Sequence, residues 1–250
     1  MILGHCTWKD VEALSRDAVV LIPTGALEQH GPHLPLLTDT ILATAVAEGV
    51  ERRLPTQTLL TPPVWLGASA HHLLYAGTLS ATFEGYGSTM SAIVESLLPH
   101  GFRKFFIING HGGNDEPNGI VLRGLKAKYP NAMFGHAAYY SLIAAEIAAI
   151  AEGPLKEIHH ADEFEASLML HVAPNLVRKD HLRDDGLVPD PRIAGMVHSF
   201  DELSEEGSIG YASLATADKG ERLLQAAIEA MTDNIRILAE GYVLSGLKST

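Results

Sequence analysis

The sequence predicts an α/β fold in a single domain over 1–250 from three observations. Two short runs, at 18–22 (AVVLI) and 105–108 (FFII), are apolar at every position, as strands buried on both faces must be. Each run ends in a segment rich in glycine or proline and is followed by a stretch with helical periodicity. The 250 residues show no break in composition, so one large α/β domain with a full core is expected.

Taken in order, TWKDVEALSR at 7–16 spaces Trp8, Val11 and Leu14 as the packing face of a short helix capped by Thr7. The run at 18–22 follows and is stopped by Pro23 and Gly25. Gly31, Pro32 and Pro35 then shape an irregular loop. Thr38 stands before an apolar-periodic run as an N-cap would, so Asp39 is expected to open a helix that continues over 40–54. TLLTPPVW at 58–65 predicts a strand ended or bulged by Pro62 and Pro63. The small residues of GASAHHLLYAGTLSAT at 67–82, which hold His71 and His72, suit a pocket-lining loop or a tightly packed surface turn equally well.

A helix is predicted over 87–100 and stopped by Gly101. The second strand, at 105–108, runs into NGHGGN before a helix carrying Ile120, Leu122, Leu125 and Lys128. A strand around 132–134, an alanine-rich helix over 141–151 and a helix from Glu163 that ends at Pro174 complete this part. The polar stretch 177–192 predicts a long surface connection, and SEEGSIGYASLAT at 204–216 a loop able to close over a neighbour or a site. The last helix, 218–238, aligns Leu223, Leu224, Ala227, Ile228, Met231 and Ile235 on one face, which predicts packing on the sheet.

The net charge is −12 with no clustered basic footprint, which excludes nucleic acid and an anionic membrane surface as partners. The opening MILGHCTWKDVEALSRD lacks a basic segment followed by an apolar one, and no run reaches the length of a membrane span, so a soluble cytoplasmic protein is expected. Cys6 is the only cysteine, which removes internal disulfides and thiolate-rich zinc sites. A metal would have to use His, Asp and Glu.

Those donors cluster. Glu28 and His30 lie two apart after the first strand, a spacing that in extended backbone turns both side chains to one side, and Asp39 follows nine residues on. His111 sits at the carboxyl end of another strand, where ligands collect in open α/β sheets, so it could share one crevice with that loop. The set reads as a hydrogen-bonded loop clamp, a general acid/base group or part of a metal site. Glu28, His30 and His111 could form a two-histidine, one-carboxylate triad of a mononuclear iron enzyme, although Asp39 as a fourth donor argues against it. NGHGGN could instead cradle a phosphate in a non-catalytic binding or assembly module. Asp162, Glu163 and Glu165 crowd the start of a helix, where its dipole favours negative charge by about 0.3–1 kcal/mol each; for Asp162 and Glu163 that structural role is preferred.

Together the motifs resemble the creatininase (creatinine amidohydrolase) family, in a GHGGN-type branch rather than creatininase itself. The resemblance rests on GALEQHGPHLPLLTDT at 25–40, ASAHHLLYAGT at 68–78, INGHGGN at 108–114, HHADEFEAS at 159–167 and GSIGYASLATADKG at 207–220. It implies a three-layer α/β/α sandwich with a mostly parallel central sheet, usually a homohexamer, with two divalent metal ions (Zn, Mn or Fe) at the carboxyl end of that sheet. By position Glu28, Asp39 and His111 would hold one metal, and His30, Asp39 and a further glutamate the other, with Asp39 bridging. Creatininase carries Tyr-Glu where this chain has Gly112 and Gly113, and that glutamate is a ligand there; Glu165 is expected to replace it. His160, or Glu165 if it is not a ligand, would shuttle the proton to the leaving nitrogen. Creatininase also has a tryptophan over its substrate where this chain has Lys156, which implies a substrate other than creatinine. The implied activity is hydrolysis, by a metal-bridging hydroxide, of a small-molecule amide outside ordinary peptide bonds: a cyclic amide, a pyrimidine formamide or a small modified peptide. Oxygen and imidazole donors suit these metals, and a bridging carboxylate lets two cations sit about 3.5–4 Å apart.

Overall fold

The computed structural model describes residues 1–185 and 196–241. Its centre is β1 (Val19–Thr24), which is buried along its whole length. Side chains alternate across a strand, so Val19 and Leu21 enter one core while Val20 and Ile22 enter another on the opposite face. Full burial of a Leu or Ile side chain is worth about 1.5–3 kcal/mol, which is why both faces of this strand must be covered.

The covering elements sort by face. α2 (Thr38–Arg53), α5 (Ala144–Ile150), α6 (Glu163–Val172) and α7 (Ala217–Ala239) close the first core, through Leu42, Val46, Phe164, Leu223 and Met231 among others. α3 (Phe83–Leu97) and α4 (Asp115–Lys128) close the second through Tyr86, Met90, Val94, Leu122 and Leu125. Between them β2 (Thr58–Leu60), β1, β3 (Lys104–Asn109) and β4 (Met133–Ala138) form a parallel sheet in that order. The predicted three-layer sandwich is therefore the observed one. From β1 the chain runs out to β2 at one edge and returns across to β3, so a switch point opens between the carboxyl ends of β1 and β3. A small antiparallel pair, β5 (Asp184–Asp185) with β6 (Gly210–Tyr211), stands apart from the main sheet.

Several expectations shift. α1 (Trp8–Ala13) has the Thr7 capping box, but Trp8 is 70% exposed and only Val11 and Leu14 pack. Thr38 is the first residue of α2 rather than its cap; its hydroxyl turns back to the Pro35 carbonyl at 2.7 Å. α3 begins four residues earlier than predicted because Thr82 caps it, accepting from Gly85 N. α4 likewise starts at Asp115, with Pro117 in its first turn, where a missing N–H costs nothing. The alanine-rich segment divides into a 3-10 turn, Tyr139–Ile143, and α5. α7 lies mainly on α6 and α2, and reaches the sheet only lightly. The β2 strand does end before Pro62 and Pro63, after which Val64 returns to bridge Thr24. The predicted connection at 177–192 falls partly outside the described residues. Among those described, no helix is long and apolar enough to cross a membrane.

Candidate metal centre

The switch point gathers side chains from four elements. β1 exits into the loop bearing Glu28, Gln29 and His30; the first turn of α2 supplies Asp39; β3 exits to His111; and the first turn of α6 supplies Glu165, with His160 just ahead of it. Close backbone approach makes the meeting feasible. A Cβ at Gly110 would stand 2.6 Å from the Asp39 carbonyl, so only glycine lets the end of β3 lie against the start of α2. Asn109 fixes the exit, its amide donating to His111 O at 2.7 Å and to Asp115 Oδ1 at 2.8 Å.

The sequence-predicted residues converge. Asp39 Oδ1 lies 3.0 Å from His30 Nε2, and Asp39 Oδ2 lies 3.2 Å from His111 Nδ1. Glu28 Oε1 is 3.3 Å from His111 Nδ1, and Glu165 Oε2 is 3.9 Å from His30 Nε2. His160 Nδ1 stands 3.8 Å from Glu28 Oε1. Two half-sites result, Glu28 with His111 and Glu165 with His30, and Asp39 turns one oxygen to each. All five of these acidic and imidazole side chains are buried, Glu28 at 1% exposure and Asp39 at 2%.

The imidazoles are oriented from behind. His30 Nδ1 is 3.1 Å from the Glu28 carbonyl, and His111 Nε2 is 3.2 Å from the Ala68 carbonyl. A carbonyl only accepts, so these nitrogens carry N–H, which leaves His30 Nε2 and His111 Nδ1, the atoms that face the carboxylates, as the ones able to ligate once their proton is displaced. That is the arrangement in which histidine ligates metal.

Glu28 Oε2 and Asp39 Oδ2 are buried and find no hydrogen-bond partner among the described residues. An uncompensated buried carboxylate oxygen is costly, and a cation answers both at once. Among the described residues four groups bring three donor atoms within 4.8 Å of one another, Glu28/His30/Asp39, Glu28/His71/His111, Glu28/His72/His160 and His30/His160/Glu165, and such carboxylate and imidazole donors fit the divalent ions that the sequence implies. Electrostatics without the ions tells the same story. Burial would lower the His30 pKa, but the Asp39 carboxylate outweighs it and raises it to about 10. His111 is raised in the same way, chiefly by Glu28 against its own burial. Glu165 is raised to about 8 by burial, which His30 only partly offsets. Protons occupy the places where cations would sit.

Glu165, the expected replacement ligand, brings Oε2 to 3.9 Å from His30 Nε2. A Cβ at Gly113 would meet the Ala68 carbonyl and His111 Nε2, both at 2.5 Å, so this backbone has no room for a glutamate at that position. The turn before Glu165 is strained instead. Ala161 has φ of 51°, the sole non-glycine residue with positive φ among those described. Its N–H donates to Glu165 Oε2 and its carbonyl accepts from His33 Nε2 at 2.8 Å. Asp162 caps α6, accepting from the Phe164 and Glu165 amides. Glu163 points away to Lys219 Nζ at 2.7 Å, in keeping with the structural roles expected for this pair.

Sequence reasoning missed part of the wall. His72, left undecided within its loop, lies 3.4 Å from Glu28 Oε1. Gln29 reaches both His72 and His160, and Phe200 packs its ring 4.3 Å from His72 and 4.6 Å from His160. The position of Gln29 between Glu28 and His30 was a usable signal; nothing local marks Phe200. His72, His160 and Phe200, with Tyr140 and Ile158, line a cavity of about 260 Å3 over the centre. The loop at 204–216 does bear on the site, since Ile209 N donates to His160 O at 2.9 Å. A phosphate cradle is disfavoured, because an anion entering here would face Glu28, Asp39 and Glu165.

Such a fold, with carboxylates and imidazoles gathered at its switch point, is that of a metal-dependent hydrolase. The chain belongs to the creatininase family: the family pattern, creatinine amidohydrolase, matches residues 4–235. It is 34% identical over 236 residues to a mycofactocin precursor peptide peptidase of Mycobacterium ulcerans (strain Agy99), covering 86% of this chain and 84% of that one. It is 29% identical to the creatinine amidohydrolase of Pseudomonas putida, over 94% of this chain and 96% of the relative. A solved structure of creatininase with Mn superposes with a TM-score of 0.83 at 30% identity, covering 94% of this chain and 97% of that one. The protein is a creatininase-family amidohydrolase.

Proposed function

We propose that the protein uses two divalent cations, Zn, Mn or Fe, to hydrolyse an amide C–N bond in a small molecule: a cyclic amide, a pyrimidine formamide or a small modified peptide. Glu28, Asp39 and His111 would hold one ion, and His30, Asp39 and Glu165 the other. The observation that carries this reading is Asp39, whose two oxygens face different histidines at 3.0 and 3.2 Å. When bound, the ions supply Lewis acidity toward the amide carbonyl and acidify a water toward neutrality.

The remaining work falls to the chain. Burial holds the His160 pKa well below its usual value, so the ring is neutral and a proton taken at Nδ1 is readily passed on. As a water oxygen bonds to the carbonyl carbon, His160 receives the proton released; as the C–N bond breaks, it returns that proton to the leaving nitrogen. Phe200, Ile158 and Tyr140 wall the cavity and limit water entry, and its size favours a compact substrate. Lys156 supports a substrate other than creatinine: it is exposed and bonded to the Ala151 carbonyl, away from the cavity lining. A cytoplasmic homohexamer belongs to the same proposal.

The test is elemental analysis of purified, untagged protein and of Asp39→Ala, followed by a hydrolysis screen of the three substrate classes. Two metals per chain, lost together in the variant, with turnover of one class support the proposal. One iron per chain with oxygen consumption, or no metal after reconstitution with all three ions, overturns it.

A further inference from the structure

Gln29, between Glu28 and His30, carries no charge, yet its side chain and backbone meet two of the site's histidines, His72 and His160. Gln29 Oε1 accepts from Gly31 N at 2.9 Å, which identifies the other terminal atom as the amide nitrogen. That nitrogen lies 2.9 Å from His72 Nδ1. An amide nitrogen can only donate, so His72 Nδ1 must offer its lone pair. A neutral ring then carries its proton on Nε2, the atom 3.4 Å from Glu28 Oε1.

The backbone of the same residue acts on a second ring. His160 Nε2 lies 2.8 Å from the Gln29 carbonyl and 3.1 Å from the Gln29 amide nitrogen. The two contacts ask for opposite tautomers. The shorter one decides, because a lone pair on Nε2 would be pressed against the carbonyl lone pairs at 2.8 Å. The proton therefore sits on Nε2, and Nδ1 is left bare toward Glu28 and the cavity.

We propose that Gln29 is a positioning residue that sets the proton on both rings: its side-chain amide makes His72 an Nε2–H donor steadying Glu28, and its carbonyl frees His160 Nδ1 as a base. His72 is then not a metal ligand, although its ring stands in a cluster with Glu28 and His160 that could by distance hold an ion. This rests on the proposed hydrolase site for its consequence, but not for its measurement.

The experiment is imidazole nitrogen–proton correlation NMR on zinc-loaded protein labelled at histidine, with the two rings assigned by His72→Asn and His160→Asn. In the native chain both rings are expected as the Nε2–H tautomer. In Gln29→Glu the new carboxylate can only accept, so His72 is expected to gain a proton at Nδ1, while His160 keeps its pattern because the backbone carbonyl is unchanged. In Gln29→Leu the His72 signal should lose its single tautomer, and zinc affinity should fall by roughly 10–100-fold, as when a supporting partner of a ligand is removed. A native His72 or His160 with its proton on Nδ1 overturns the proposal, as does a His72 signal indifferent to Gln29→Glu. Should the protein bind no zinc, the proposed hydrolase fails separately, and the same spectra on the metal-free protein still decide the tautomers.

Discussion

His30 and His111 each meet a different oxygen of Asp39, His30 Nε2 at Oδ1 and His111 Nδ1 at Oδ2. In Asp39→Asn one of those oxygens becomes an amide nitrogen, a donor that cannot ligate. Both ions are expected to leave together, with far-UV circular dichroism unchanged, because the first turn of α2 is held by Thr38 and Thr40 through Pro35 O and Ala26 O. Two metals per chain retained at full turnover would remove Asp39 as the bridge.

His160 separates chemistry from metal binding. His160→Ala should lower kcat by about 10²–10⁴, the range for losing a general acid/base, with metal content intact. Loss of metal on this substitution would mark His160 as a ligand.

Glu165 and Gly113 test where the second carboxylate comes from. Glu165→Gln keeps the shape and should weaken the second ion while the first stays bound. Gly113→Glu should not rescue it, because the Cβ alone would meet Ala68 O and His111 Nε2 at 2.5 Å. A double variant that regained both ions would show that this backbone does accommodate a ligand at 113.

The parts legible in the sequence are those with a local signature. The run at 18–22 announced a doubly buried strand because every position is apolar, and β1 is that strand. Glu28, His30 and Asp39 were visible because one short segment, the loop after β1 and the first turn of α2, delivers them, and His111 because strand ends point to the crevice of an α/β sheet. Phe200 and His72 were not, since their roles depend on rings brought together from loops 128 residues apart, with no periodicity to betray it. The start of α3 was missed for a different reason: Phe83 and Gly85 break the apolar pattern, and the Thr82 cap overrides it. Nor could sequence spacing tell that α7 rests on α6 and α2, because an apolar stripe specifies a buried face without naming its partner.

Metal loading should release protons, and the sign is set by the raised groups. In the folded, metal-free protein His30 holds its proton to about pH 10 and Glu165 to about pH 8, whereas the unfolded groups lose theirs near 6.5 and 4.5. Between 6.5 and about 10 the folded state binds more protons than the unfolded one, so metal-free stability falls as pH rises through that window. His72 and His160, shifted downward, act below 6.5 and in the opposite direction. Ligation expels the protons of His30, His111 and Glu165, so the Tm gained on loading should grow with pH. Calorimetry in two buffers of different ionisation enthalpy should show net proton release; uptake, or none, would contradict the electrostatics of the centre.

Two residues before Glu165, a charge with a different purpose can be separated from it by stability alone. Glu163 is 2% exposed and accepts from Lys219 Nζ at 2.7 Å, Glu152 N at 3.0 Å and Gly153 N at 3.1 Å, tying α6 to α7 and to the turn after α5. Lys219→Met strands that carboxylate with two backbone donors, and breaking a buried pair from one side costs about 3–5 kcal/mol. The urea midpoint should fall accordingly, while metal per chain stays as in the native protein. Adding Glu163→Gln removes the stranded charge and should recover much of the loss, so the two substitutions should be strongly non-additive. Additive losses would mean that the pair is not coupled. Loss of metal in Lys219→Met would mean that the start of α6 responds as one unit, with Glu163 and Glu165 sharing a single function.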